Sequence, residues 1–185
     1  MGFNEQVLNC RKCSELIDTR KNVVLGEGAI PCGILFLGEA PGKREDDTGK
    51  PFQGVAGQIL RALIHAAGIS IIHSHILNVL KCRPPDNRNP TDEELHNCRP
   101  FLEHQLKVIR PKAIVAMGRY AQAFVLKQDP STIQVLKNAG TETTYAGIPA
   151  VLTFHPSYIS RSTNPQVEAA FKIHLQQAKR LSQGA

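Results

Sequence analysis

Four cysteines are spaced in a way that suggests chemistry. Cys10 and Cys13 form a Cys-x-x-Cys pair near the start of the chain, and Cys82 and Cys98 form a second pair with fifteen residues between them. Four thiolates from two distant segments can close a tetrahedral site and pin the N-terminal arm to the middle of the chain. Zinc usually draws on two close pairs, whereas the second pair here is long, so spacing leaves zinc and a [4Fe-4S] cluster both open. Cys32, between Pro31 and Gly33, reads as a small core residue. Three other segments are rich in polar groups: Gly38-Glu39-Ala40-Pro41-Gly42, Lys81-Cys82-Arg83-Pro84-Pro85-Asp86-Asn87-Arg88 and His155-Pro156-Ser157-Tyr158. The first has the look of a phosphate loop. It places three residues between its glycines instead of four, and Arg44 falls where a hydroxyl should hold magnesium, which argues against a nucleotide hydrolase.

The elements that must position these groups are marked by hydrophobic patterning. Residues 34–37, 76–79, 113–117 and 150–153 are short apolar runs of buried-strand type, and helical spacing fills Ala56 to Ala67, Thr91 to Ile109 and Tyr120 to Leu126. Alternation of this kind predicts βαβ units and a parallel sheet with helices on both faces. Thr91 and Glu94 form a capping-box pattern, and Pro111 stops the helix they begin. Further helices are expected from about Asn4 to Leu16 and from Gln166 to Leu181, packed outside the sheet. Ligands of open α/β sheets bind beyond the carboxyl ends of the strands. The three polar segments follow the first, second and fourth strands, so they should share one edge.

The chain has 185 residues, 42% hydrophobic and 21% charged. That fits one domain, residues 1–185, with a real core, and excludes disorder as the main state. A net charge of +6 and an isoelectric point near 9.2 favour a polyanionic partner. No apolar run approaches the roughly 20 residues of a membrane span, and the first residues lack a basic-then-apolar export signal, so a soluble cytoplasmic protein is expected. Thiols stay reduced in that compartment, which makes a disulfide framework a poor use for the cysteines.

Taken together the motifs resemble the family 4 uracil-DNA glycosylases, the iron-sulfur branch of that superfamily. The matching text is Gly38 to Gly42, Glu45-Asp46, Gly49-Lys50-Pro51-Phe52-Gln53-Gly54-Val55-Ala56-Gly57, Asn78 with Lys81 to Arg88, and His155 to Tyr158, spread over about residues 10 to 161. The resemblance implies a three-layer α/β sandwich whose four-stranded parallel sheet is flanked by helices. It also implies a structural [4Fe-4S] cluster on Cys10, Cys13, Cys82 and Cys98, and hydrolytic excision of uracil from DNA by a monomer in base excision repair. The chain departs from the family at Ile159-Ser160-Arg161, where leucines are common, at Ala139-Gly140 in place of Arg-Gly, and at Gln53 in place of Val.

Within that resemblance each motif acquires a task. A base must leave the stack before it can be cleaved, at a cost of roughly a few kcal/mol. Phe52 would stack on it, and the Asn78 amide would donate to uracil O4 and accept from N3–H, the opposite of what cytosine offers. Gly38, Ala40 and Asn87 complete the expected uracil pocket. His155 would donate to O2 as the leaving base gathers charge. Glu45 is expected to position water or stabilise the cationic sugar, with Glu39 organising its loop through Asn87. Lys43, Arg44, Lys81, Arg83, Arg88, Arg161 and the Ser157 hydroxyl are expected on DNA phosphates, and Tyr158 and Ile159 as the apolar wedge that fills the vacated space. A rival from another class is a non-catalytic iron-sulfur module that binds DNA or transfers electrons; it would need the cluster but not Phe52, Asn78 and His155.

Overall fold

The computed structural model describes residues 2–184. Its centre follows from strands that bury both faces: β2 (Ile34–Gly38), β3 (Ser74–Asn78) and β4 (Ala113–Met117) have no exposed residue, and β6 (Ile148–Thr153) is buried from Ala150 onward. Continuous apolar runs of this kind suit a parallel sheet covered on both sides, and these strands pair in parallel in the order β3-β2-β4-β6.

The expectation of a four-stranded parallel sheet describes only this centre. Two further strands, β1 (Glu27–Gly28) and β5 (Glu142–Tyr145), add antiparallel edges, giving a mixed six-stranded sheet of order β1-β3-β2-β4-β6-β5. β1 is too short to show alternation. β5 turns into β6 through Ala146 and Gly147, both at positive φ (50° and 82°), the geometry of a tight hairpin turn. An alanine in the first of those positions gives no warning of it.

Side chains alternate across a strand, and this sorts the core into two faces. Leu35, Leu37, Leu77, Ile114, Ala116 and Leu152 meet Leu102, Leu106 and Ile109 of α5 (Asp92–Ile109) and Phe124 and Val125 of α6 (Arg119–Leu126). Ile34, Phe36, Ile76, Val115, Met117 and Val151 meet Leu60, Leu63 and Ile64 of α4 (Val55–Ala66) and Phe171, Leu175 and Ala178 of α9 (Pro165–Ser182). Cys32 lies in the first cluster, 4% exposed. The Thr91 capping box is formed: its hydroxyl accepts from the Glu94 amide at 3.2 Å, and the Glu94 carboxylate accepts from the Thr91 amide at 2.9 Å.

The N-terminal helix expected from Asn4 to Leu16 is instead two: α1 (Phe3–Leu8) and α2 (Ser14–Thr19), separated by residues 9–13. Leaving the helix there lets Cys10 and Cys13 face the loop after β3. α3 (Lys43–Thr48), α7 (Val135–Asn138) and α8 (Pro156–Arg161) are short helices. Among the described residues no helix is long and apolar enough to cross a membrane.

From β2 the chain runs through α4 to β3 on one side, then through α5 to β4 on the other. The sheet therefore opens a crevice at the carboxyl end of β2, the switch point where α/β folds hold ligands. Gly38, Asn78, Gly118 and His155 sit at the ends of four adjacent strands along this edge.

Candidate active site and cysteine pocket

A cleft of about 770 Å³ occupies the crevice. Its floor is organised by Gly38, because a Cβ there would lie 2.4 Å from Asn78 Oδ1 and 2.6 Å from the Phe52 ring. Only glycine lets the amide and the aromatic ring meet at this point. Asn78 is 2% exposed and its Oδ1 is a buried acceptor with no partner among the described residues. Leaving such an atom unpaired costs about 1–3 kcal/mol, and a site that tolerates the cost is usually waiting for a donor.

Phe52 reaches the cleft only through strain. Its φ of 53° is left-handed, a conformation that costs a bulky side chain on the order of 1–3 kcal/mol. Two devices hold it. A Cβ on Gly57 would lie 1.7 Å from the Phe52 carbonyl oxygen, so the first turn of α4 can tuck beneath the loop only with glycine there. The Glu45 carboxylate accepts from the amides of Gln53 at 2.6 Å, Gly54 at 2.9 Å and Gly42 at 3.1 Å, tying the Phe52 loop to the start of α3.

His155 faces Phe52 with ring centroids 5.7 Å apart and planes inclined by 29°. Gly118 permits the approach, since a Cβ there would come within 3.1 Å of His155 Cβ. The Ser157 amide donates to His155 Nδ1 at 3.2 Å, and the Ser157 hydroxyl lies 2.9 Å from the same nitrogen. A nitrogen that accepts cannot carry the ring proton, so the proton sits on Nε2. Burial, reinforced by nearby Arg161, pushes the His155 pKa down to about 4 against a weaker opposing pull from Glu45. The ring is thus a neutral Nε2–H donor at ordinary pH.

Glu39, Ala40, Glu45, Asn87, Ser157, Tyr158 and Arg161 also line the cleft. The expected link from Glu39 to Asn87 is not formed: Asn87 Oδ1 accepts from Arg83 Nε at 2.8 Å. Burial raises the Glu39 pKa, partly offset by Arg119. Lys43 and Arg44 are exposed on α3 outside the cleft lining. Arg88 is committed elsewhere, paired with Glu94 and Glu15 at 2.7 Å each. Tyr158 and Ile159 pack on the core, Tyr158 with its ring centroid 5.5 Å from that of Phe154. Gly118 and Arg119, at the end of β4, were missed from sequence, although the strand-end rule applied to the third apolar run points to them.

Lys81 overturns its expectation. The expected phosphate contact cannot form, because Lys81 is 1% exposed and cannot reach DNA. Its Nζ donates to the Asn78 carbonyl at 2.5 Å. Burial lowers its pKa to about 8, against the pull of Cys98 and Cys82. Lys81 also lines an apolar pocket with Cys10, Cys13, Cys82 and Cys98, beside Val7, Leu16 and Phe101. Arg20 closes that pocket, donating to Cys82 Sγ at 2.8 Å and to the Cys10 carbonyl at 2.7 Å. Burial raises the pKa of the Cys13, Cys82 and Cys98 thiols, Cys98 to about 11. Among the described residues no group of three or more His, Cys, Asp and Glu side chains is placed to hold a single metal ion.

A switch-point crevice holding a buried amide, an aromatic ring and a neutral imidazole is a site for a flat heterocycle. Residues 25–179 match the family model of the uracil DNA glycosylase superfamily, and the chain belongs to that superfamily. Within it, the chain is similar to the type-4 uracil-DNA glycosylase of Thermotoga maritima, with 40% identity over 177 residues, 95% of this chain and 91% of the relative. The type-4 uracil-DNA glycosylase of Archaeoglobus fulgidus is 39% identical over 159 residues, 83% and 79% of the two chains. A type-5 uracil-DNA glycosylase of Pyrobaculum aerophilum is 29% identical over 191 residues, 87% and 84%.

Two substitutions test this geometry. Gly38→Ala should displace Asn78 or Phe52 and weaken binding of free uracil by roughly tenfold or more, given about 1–3 kcal/mol for one lost buried hydrogen bond; calorimetric titration measures it, with circular dichroism checking the fold. Lys81→Met should leave the Asn78 carbonyl without a donor and lower stability by about 1–3 kcal/mol, read from the denaturation midpoint.

Proposed function

We propose that this protein excises uracil from DNA by hydrolysing its N-glycosidic bond, leaving an abasic site. The observation that carries the reading is the unpartnered Asn78 Oδ1, buried beside Phe52 and opposite a neutral imidazole. Uracil N3–H supplies the missing donor while the amide nitrogen donates to O4. Cytosine would bring a lone pair to Oδ1 and an amine to the amide nitrogen, two mismatches that leave buried polar groups unpaired. Phe52 supplies the stacking face, worth about 1–3 kcal/mol per base.

Bond cleavage places negative charge on the departing pyrimidine. The His155 Nε2–H donates to O2 as that charge grows, and because the ring is already neutral and fixed by Ser157 no proton has to move first. On the sugar side two carboxylates divide the work. Glu45 spends both oxygens on backbone amides and fixes the Phe52 loop. Glu39 makes no side-chain hydrogen bond among the described residues, so its oxygens are free to orient water and stabilise the cationic sugar. Arg119 and Arg161, with Lys43 and Arg44 beyond the cleft, meet phosphates without reading sequence. The reading is of a monomer acting on DNA in the cytoplasm.

The cysteine pocket suits a [4Fe-4S] cluster held by Cys10, Cys13, Cys82 and Cys98. Four cysteine thiolates are a donor set that either zinc or such a cluster accepts, and the similarity to type-4 uracil-DNA glycosylases favours the cluster. Bound there, the cluster supplies a cross-link between the N-terminal arm, the loop after β3 and α5.

Incubation with single-stranded and duplex oligonucleotides carrying one uracil, without magnesium or nucleotide, followed by alkali, should cut the strand only at uracil. No scission on either substrate would overturn the reading in favour of a non-catalytic iron-sulfur module. His155→Ala should slow excision by about 10²–10³-fold, the usual worth of one such donor, while the cluster's visible absorbance is retained. The His155 pKa lies below its unfolded value of about 6.5, so the unfolded chain binds more protons between about pH 6.5 and 4. This group's contribution to stability therefore falls as pH drops through that window, and excision should keep its His155-dependent rate down to about pH 4. A pH–rate profile of the wild type against His155→Ala measures this.

A further inference from the structure

α3 carries Glu45, the carboxylate that fastens the Phe52 loop, yet its sequence Lys43-Arg44-Glu45-Asp46-Asp47-Thr48 has no apolar side chain. A surface helix normally docks by burying an apolar stripe, and this one has none to bury. Its one buried residue is Asp46, 2% exposed. In the sequence Glu45-Asp46-Asp47 reads as a single solvated acidic face. In the fold the three carboxylates part. Glu45 holds the amides of the Phe52 loop, Asp47 forms an exposed ion pair with Lys21, and Asp46 turns into the body of the protein. Its Oδ1 accepts from the backbone amides of Lys21 at 2.9 Å and Asn22 at 3.1 Å, and the Asn22 side chain donates back to the Asp46 carbonyl at 2.6 Å. Amides that donate to an ionised acceptor are the partners a buried carboxylate requires. The segment so gripped is itself fixed. Arg20 donates to Cys82 Sγ and to the Cys10 carbonyl, and the Val24 amide donates to the Lys81 carbonyl at 2.7 Å.

We propose that Asp46 is a positioning residue for base recognition: it locks α3 onto residues 21–22 and, through Glu45, holds the Phe52 ring at its stacking position. The proposal rests on the reading of the cleft as a uracil pocket. Asp46 does not line the cleft, so it touches no bound base and acts only through its neighbours. The chain of contacts is short. Phe52 keeps its left-handed backbone only while its loop is held. The loop is held by Glu45, and Glu45 is only as fixed as the helix that bears it. Without the Asp46 carboxylate α3 is free to shift, the Glu45 bonds to Gln53 and Gly54 lengthen, and the ring leaves its place. A stacking face serves the bound base before and during cleavage alike, so the loss falls on binding and not on the bond-breaking step.

Single-turnover excision from a single-stranded uracil oligonucleotide, followed over a range of enzyme concentrations, separates binding from cleavage and tests the assignment, with circular dichroism checking the fold. Asp46→Ala should raise the half-saturating concentration by roughly tenfold, the worth of one base–aromatic stack, and leave the maximal rate within about threefold of wild type. Asp46→Asn, which keeps an acceptor of the same shape, should return the half-saturating concentration to within about threefold of wild type. Asp47→Ala removes only an exposed ion pair and should change neither quantity. A double variant distinguishes positioning from general loosening: in a Phe52→Ala background, Asp46→Ala should weaken binding by less than about twofold further. Should Asp46→Ala fail to fold, Asn22→Ala carries the same comparison, because it removes the donor to the Asp46 carbonyl from an exposed side chain. It should weaken binding less than tenfold, and again not in the Phe52→Ala background. An equal loss in both backgrounds, a loss confined to the maximal rate, or an Asn variant as poor as the Ala variant would overturn the proposal. A wild-type protein that releases no uracil would remove the uracil reading itself; that result is distinct from any change in binding.

Discussion

A buried ammonium group joins the two halves of this molecule. Lys81 has one protein acceptor, the carbonyl of Asn78, and lies in the wall of the pocket formed by the four thiols. An isolated charge in an apolar interior is expensive and normally shifts its pKa or finds a counter-charge. Here the pKa shifts: burial lowers that of Lys81 to about 8, against the pull of Cys98 and Cys82. The consequence reaches the cleft. The carbonyl that Lys81 holds belongs to the residue whose side chain presents the unpaired acceptor, so one contact links the wall of the cysteine pocket to the floor of the cleft.

Around that contact the site is built by subtraction. Gly38 and Gly57 stand where any Cβ would strike the amide or the strained carbonyl, and Gly118 where one would crowd the His155 Cβ. The strain at Phe52 is not relieved locally. It is held by Glu45, which uses its charge on three backbone amides, and by the close seat of α4. Such an arrangement places an aromatic face rigidly, with little left to reorganise when a base arrives. It also separates two roles that look interchangeable in the sequence. Glu39 and Glu45 both line the cleft, but one is a free carboxylate and the other a fastener.

The layered α/β core was legible because short, continuously apolar runs alternate with stretches of helical spacing, which leaves few alternatives for residues 34–37, 76–79 and 113–117. The position of the site followed from the strand-end rule, which placed Gly38, Asn78 and His155 on one edge. What could not be read has physical reasons. Nothing in a phenylalanine announces a positive φ; the cause is a glycine five residues away. Helical spacing runs on through Cys10 and Cys13, and only the tertiary pocket breaks it into α1 and α2. Lys81 and Arg88 are basic residues in a basic loop, and sequence does not distinguish a cation for phosphate from one held by an internal carbonyl or by Glu94 and Glu15.

The distribution of positive charge completes the argument. A net charge of +6 could have been concentrated at the reacting centre, where it would hold the leaving base as an anion from the start. The chain does the opposite. At the base-facing floor it places groups that are neutral, an amide and an imidazole kept unprotonated by burial and by Arg161, and it leaves the exposed cations Arg119 and Arg161 toward the rim. On the proposed reading these neutral donors bind uncharged uracil without demanding that it ionise, then gain strength as charge develops, which is the difference between ground-state and transition-state binding that accelerates a reaction. On the same reading the cations act earlier and farther out, on a polyanion whose phosphates are the same whatever base they carry. Attraction to DNA and recognition of one base are thus assigned to different layers of the same edge, and the neutral layer is the one that the Asn78 carbonyl contact and the glycine-built floor keep in place.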